Sequence, residues 1–144
     1  MSKVAKMNEY IANLHVWNVK LHNLHWNVTG EQFPAVHKFT EELYEEVFEK
    51  FDDVAEQLKI QGESPAATTA EYAKLAIIKE TPARDFTSGE VLKVVREDME
   101  KMKQLAVDIR VLADDEGDFS TVAMMEEHAA GYAKNLWFLS AMQR

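Results

Sequence analysis

The chain predicts an all-α protein, a four-helix bundle, on three observations. Apolar residues recur at helical spacing in four segments, no stretch alternates convincingly with period two, and one long connection separates the second segment from the third. With 144 residues the chain can bury a substantial core, and residues 1–144 are read as one domain.

The first segment carries Val4, Met7, Ile11, Leu14, Leu21, Leu24 and Val28 and stops at Thr29-Gly30, since glycine takes the backbone turn that ends a helix. The second opens after Pro34, places Phe39, Leu43, Val47, Phe51, Val54 and Leu58 on one stripe, and ends at Gly62. The third runs through Val91, Val95, Met102, Leu105, Ile109 and Leu112. Thr87 or Ser88 precedes it, with Glu90 placed for a capping box, and it ends near Asp114 to Gly117. The fourth holds Val122, Met125, Ala129, Ala133, Leu136 and Leu139. Short Gly-containing turns join the first to the second and the third to the fourth, so each pair is expected to form an antiparallel hairpin. The connection from Gly62 to Ser88 contains Pro65, Pro82 and an apolar patch from Leu75 to Ile78, and a short extra helix is expected within this crossover. A long crossover between helices two and three is the topology of ferritin-like four-helix bundles.

Composition excludes several classes. No apolar run approaches the ~18 residues of a membrane span. The N-terminus leads straight into a polar amphipathic segment, so a cleaved secretion signal is not indicated and cytoplasm is the default compartment. With no cysteine there is no disulfide, thiol catalysis or thiolate metal site. The net charge of −9, from 16 basic and 25 acidic residues, opposes nucleic acid and attracts cations. Lys3 and Lys6 are too few to grip a phosphate backbone, so direct DNA binding at neutral pH is not expected.

Between His25 and Glu56 the chain gathers ligand types that suit iron or zinc: His25, His37, Glu41, Asp52 and Glu56. At about 100° per residue, with His37 at the origin, Glu41 falls near 40°, Asp52 near 60° and Glu56 near 100°, while the apolar stripe centres near 280°. Four ligand types thus share a face that is not the core. A solvated acidic face explains the same pattern. His37 and Asp52 are separated by roughly 22 Å of helix at ~1.5 Å per residue, against ~2 Å from a metal to each ligand. Either these residues are unrelated, or a second copy brings the two halves together. No histidine has a glutamate three residues before it, so the Glu-x-x-His pairs of an intrachain di-iron centre are absent. Two such helices lying antiparallel across a twofold axis would set His37 and Glu41 of one chain near Asp52 and Glu56 of the other, giving two sites per dimer.

The string His22-Asn23-Leu24-His25-Trp26-Asn27-Val28-Thr29-Gly30, followed by Phe33, His37, Glu41 to Tyr44 and Asp52 to Glu56, resembles the Dps mini-ferritins, and in particular the branch that includes the bacterial neutrophil-activating proteins. The resemblance extends through Gly117-Asp118 to Leu136-Trp137-Phe138-Leu139. It implies a hollow dodecamer that oxidises iron in the cytoplasm at twofold interfaces, two Fe(II) per hydrogen peroxide, and stores ferric mineral inside. Carried over, His25 and His37 of one subunit join Asp52 and Glu56 of its neighbour; many members have Asp where this chain has Glu41, whose longer arm reaches a metal directly or through water. Zinc fits the same ligands as a competitor. Trp26 and Trp17 are read as packing residues, with electron reservoirs as the other role. Asp118 and Glu127 resemble positions lining acidic threefold pores. His15, His22 and His128 are expected to make surface or interface contacts. Other expectations within the same family are a DNA-binding protector and a secreted or surface immune-activating ligand.

Overall fold

Four long helices, one short helix and a two-residue bridge make up the chain in a computed structural model that describes all residues, Met1–Arg144. Helices α1 (Lys3–Asn27) and α2 (Phe33–Ile60) form the first hairpin, and α4 (Ser88–Asp115) and α5 (Phe119–Met142) the second. The short helix α3 (Thr69–Leu75) lies in the crossover and packs on α1. The predicted bundle with a helix in its crossover is the observed one.

Helix starts follow from capping chemistry. Ser2, Thr68 and Asp118 accept hydrogen bonds from Ala5, Glu71 and Thr121, satisfying N–H groups that have no partner inside the helix. Thr87, rather than Ser88, caps α4, and Glu90 completes the reciprocal box. Helix α2 begins at Phe33, so Pro34 lies inside its first turn, where a missing N–H needs no partner.

Two helix ends share one device. The amides of Asp118 and Gly117 reach back to Ala113 and Asp114 at 2.9 and 3.0 Å, and those of Glu63 and Gly62 reach Leu58 and Lys59 at 2.9 and 3.0 Å. This doubled closure requires a left-handed residue, and Gly117 (φ 71°) and Gly62 (φ 78°) supply it.

The core joins Met7, Ile11, Leu14 and Leu21 of α1 to Leu43, Val54 and Leu58 of α2 and to Val95, Met102 and Ile109 of α4. Helix α5 departs from the expected stripe. Ala133 is exposed, while Thr121, Met125, His128, Tyr132 and Leu139 are buried. Steps of three and four from Met125 lead to His128 and Tyr132, so the buried line includes two polar rings. Between α1 and α4, Lys20 Nζ and Asp98 Oδ2 lie 2.8 Å apart, both side chains almost fully buried. The approach is off the hydrogen-bond direction, leaving charge attraction to hold the pair.

The crossover is fastened by α1. Asn13 Oδ1 accepts the amides of Ile77 and Ile78, each at 2.9 Å; Asn8 Oδ1 accepts that of Ala66 at 2.7 Å; and Asn23 Nδ2 donates to the Thr81 carbonyl at 3.2 Å. Its end is pinned by a parallel bridge of β1 (Val28–Thr29) with β2 (Phe86–Thr87), an element too short to show as alternation in the sequence.

Candidate functional site

The α1–α2 turn folds His25 and His37 face to face. Their rings stack with centroids 3.6 Å apart and planes 17° from parallel. Each ring is held by the other residue's backbone: His25 Nδ1 donates to the His37 carbonyl at 2.7 Å, and His37 Nδ1 donates to the His25 carbonyl at 2.9 Å. A carbonyl oxygen can only accept, so both Nδ1 atoms carry protons and the Nε2 lone pairs remain for a ligand. Trp17 Nε1 and Asp98 Oδ2 are the only side-chain polar atoms buried without a hydrogen-bond partner. Both Nε2 atoms therefore reach accessible surface. A carbonyl behind the far nitrogen is the arrangement that orients metal-ligating histidines.

Further contacts set the pair. Thr40, fully buried, lies 3.2 Å from His25 Nδ1 and donates its own hydroxyl to the Val36 carbonyl at 2.9 Å. Phe33 stacks on the other face of His37 at 4.8 Å, and Tyr44 meets His25 edge-on at 5.2 Å. Burial lowers the His25 pKa, against the hydrogen bond to the His37 carbonyl, so the ring stays neutral and able to ligate at neutral pH. The sequence reading missed Thr40 and Tyr44. Their signal was positional, at three and seven residues beyond His37 on the same helix.

Glu41 is exposed, and one of its oxygens lies 3.5 Å from the Tyr44 hydroxyl. Asp52 and Glu56 are also exposed, four and five turns along α2 from His37. Within one chain no three of the His, Asp and Glu side chains converge closely enough to hold a metal ion. The histidine pair and the Asp52–Glu56 pair are separate features of a single subunit.

A second acidic region lies in a groove of about 520 Å³ between α2 and α5, lined by Glu42, Glu46, Glu49, Asp53 and Glu127. Lys50 also lines it; burial lowers its pKa, with Glu46 and Glu127 opposing. Glu127 is exposed there. Asp118 is not a free carboxylate. Its Oδ2 accepts from Lys3 and Gln61, both at 2.8 Å, and its Oδ1 from the Thr121 amide at 3.2 Å. Burial disfavours its charge, but these donors outweigh that and hold the carboxyl well below the usual range. Asp118 is thus committed to locking the N-terminus of α1 and the end of α2 to the α4–α5 turn.

The remaining aromatic and histidine positions divide. Trp17 is buried in the core, 6.0 Å from Tyr132, while Trp26 is 67% exposed and meets only the His22 ring, 5.5 Å away, among the aromatic and histidine rings. His22 stacks on Tyr44 at 3.8 Å, and the His15 ring lies 4.7 Å from that of Tyr72, tilted by 34°. His128 is not at the surface as expected. It is buried, hydrogen-bonded to Tyr10, because its spacing from Met125 turns it into the core.

The ferritin-like domain model matches residues 4–144. The DNA protection during starvation protein of Helicobacter pylori is 37% identical over 123 residues, 85% of each chain. The chain belongs to the ferritin-like Dps family. A Dps-family relative from Brevibacillus brevis is 38% identical over 135 residues, covering 94% of this chain and 90% of the relative. Among solved structures, Helicobacter cinaedi CAIP superposes with a TM-score of 0.96 at 35% identity, covering 99% of this chain and all of that one. No helix is long and apolar enough to cross a membrane.

Proposed function

We propose that this Dps-family chain is an iron-storage ferroxidase whose oxidation centre is shared by two copies of the chain. His25 and His37 of one copy, joined by Asp52 and Glu56 of the next, bind ferrous iron as substrate, with Glu41 at the edge of the histidine half. The reciprocal His25–His37 lock carries this reading. It fixes two Nε2 donors in place before any metal arrives, while the matching carboxylates stand exposed further along the same helix.

Two imidazoles with hard carboxylate oxygens suit iron, and zinc competes for the same donors. In the reaction each of two ferrous ions gives up one electron. Hydrogen peroxide takes both together with two protons, its O–O bond breaks, and two water molecules form. Pairing the ions avoids release of a one-electron product. The ferric ions then deposit inside a hollow dodecamer in the cytoplasm, and the net charge of −9 draws in ferrous cations. The same charge makes DNA protection indirect, through removal of iron and peroxide.

Particle mass and ferrous oxidation, measured on one sample, test the proposal. The expected particle is roughly 200 kDa, about twelve copies of a 16.5 kDa chain, and oxidises ferrous iron faster with peroxide than with oxygen. A stable monomer oxidising iron at the full rate would overturn the shared centre.

A further inference from the structure

Three buried side chains outside the histidine pair form a closed hydrogen-bonded set. The Tyr10 hydroxyl is 2.9 Å from His128 Nδ1 and is also bonded to the Tyr132 hydroxyl. Both tyrosines are essentially unexposed. The proton positions follow from counting. Tyr132 has no other hydrogen-bond partner, so if Tyr10 donated to it, the Tyr132 proton would be left without an acceptor in the core. That costs about 1–3 kcal/mol. The order is therefore Tyr132 to Tyr10 to His128, with Nδ1 as the final acceptor and the imidazole proton on Nε2. His128 lines the acidic α2–α5 groove, and its Nε2 reaches accessible surface there. Lys50 Nζ lies 5.4 Å from the Tyr132 ring, so that ring too sits just beneath the groove.

We propose that Tyr10 is a one-electron donor: it yields an electron to a cationic one-electron oxidant held in the acidic groove, while its phenolic proton passes to His128 Nδ1. The Tyr10 O–H bond breaks and an N–H bond forms on His128. The oxidant is reduced by one electron, leaving a neutral phenoxyl radical and an imidazolium. The new positive charge faces the groove that Glu46, Glu49 and Glu127 line, with the Lys50 ammonium opposing it, and the Tyr132 hydroxyl stays hydrogen-bonded to the radical oxygen.

The surroundings favour transfer of both particles together. Burial pushes the Tyr10 pKa well up, so the phenol does not ionise first. Burial, with Lys50 nearby, lowers His128 to about 3, so it is a neutral, available acceptor over the physiological range. Tyr10 is fifteen residues from His25 along α1, roughly 22 Å. The donor is thus remote from the histidine half of the proposed iron centre, and it is buried whereas Asp52 and Glu56 are exposed on α2.

Flash photolysis tests this with no iron present, so its result is independent of the two-chain centre. A trivalent ruthenium polypyridyl cation, generated by light with a sacrificial acceptor, serves as oxidant, and frozen samples are read by electron paramagnetic resonance. The native protein is expected to give a neutral tyrosyl signal, formed more slowly in heavy water. Tyr10→Phe, which keeps the ring, is expected to abolish it. Tyr132→Phe keeps Tyr10 but removes a donor to the radical oxygen, so the largest g value should rise. Absence of a tyrosyl signal in the native protein, a tryptophanyl signal alone, an undiminished tyrosyl signal in folded Tyr10→Phe, or an unchanged spectrum in Tyr132→Phe would each overturn the proposal.

Discussion

At the residue scale, the two halves of the proposed iron centre are built differently. His25 is only 5% exposed and held by Thr40 and the His37 backbone, whereas Asp52 projects from the surface. Asp52→Ala is therefore the cleaner probe. It should cut peroxide-driven ferrous oxidation by more than about 100-fold, with assembly and melting temperature unchanged. His25→Ala should lose activity equally but also lower stability by roughly 1–3 kcal/mol, because it removes a buried, bonded ring. Stopped-flow oxidation with thermal melts checks both; wild-type rates in either variant would refute the ligand assignment. A second residue-scale consequence concerns Lys20. Burial raises the Asp98 pKa despite Lys20 beside it, which marks a charge dependent on one partner. Lys20→Met should cost about 3–5 kcal/mol in urea unfolding, since it strands a buried carboxylate. The candidate ligands His37, Glu41, Asp52 and Glu56 were legible as a group because helical phasing alone gathers them on one face of α2. Lys20–Asp98 was not, because the pairing partners lie 78 positions apart and only packing of α1 on α4 brings them together.

At the scale of elements, the stripes of α1, α2 and α4 were legible because most of the side chains each buries are apolar and recur at a period of 3.6. Helix α5 was misread at Ala133 and His128, since hydropathy cannot separate a buried imidazole with a partner on α1 from a solvated one. The capping box at Thr87 and the glycine stops were readable because they depend on neighbouring residues alone. Gly117 yields the sharpest prediction. A Cβ there meets no other atom, so a loss on substitution reports backbone strain rather than a clash. Gly117→Ala should destabilise by about 1–2 kcal/mol in denaturant melts. No measurable loss would mean that the turn relaxes from its left-handed conformation.

At the scale of the whole molecule, the titrations of buried His128 and partly buried Asp118 set the acid limit. His128 binds protons more readily unfolded, near 6.5, than folded, near 3, so between those values the unfolded chain carries the extra proton and stability falls with falling pH. The loss is on the order of 4 kcal/mol by pH 3. Asp118, depressed in the folded state, adds a further loss as pH drops below 3.8. Urea midpoints should therefore decrease steadily from pH 7 to pH 4; a flat profile would contradict the burial of His128. The proposal that two copies share the iron centre rests, in the sequence, on elimination: a helix too long to wrap one ion and the missing Glu-x-x-His pairs. The crossover's course was not legible, because amide side chains on α1 direct it rather than any pattern of its own.

Those asparagine contacts and the β1–β2 bridge have a practical consequence. The crossover is attached to α1 along its length, and the exposed Lys79–Glu80 peptide lies between two such attachments. Continuity of the chain at that peptide bond contributes mainly proximity, which grows only slowly in importance with loop length. A tryptic nick after Lys79 should leave two α-hairpins that co-elute as one particle and separate only in denaturant, and the same two pieces expressed from separate messages should find each other.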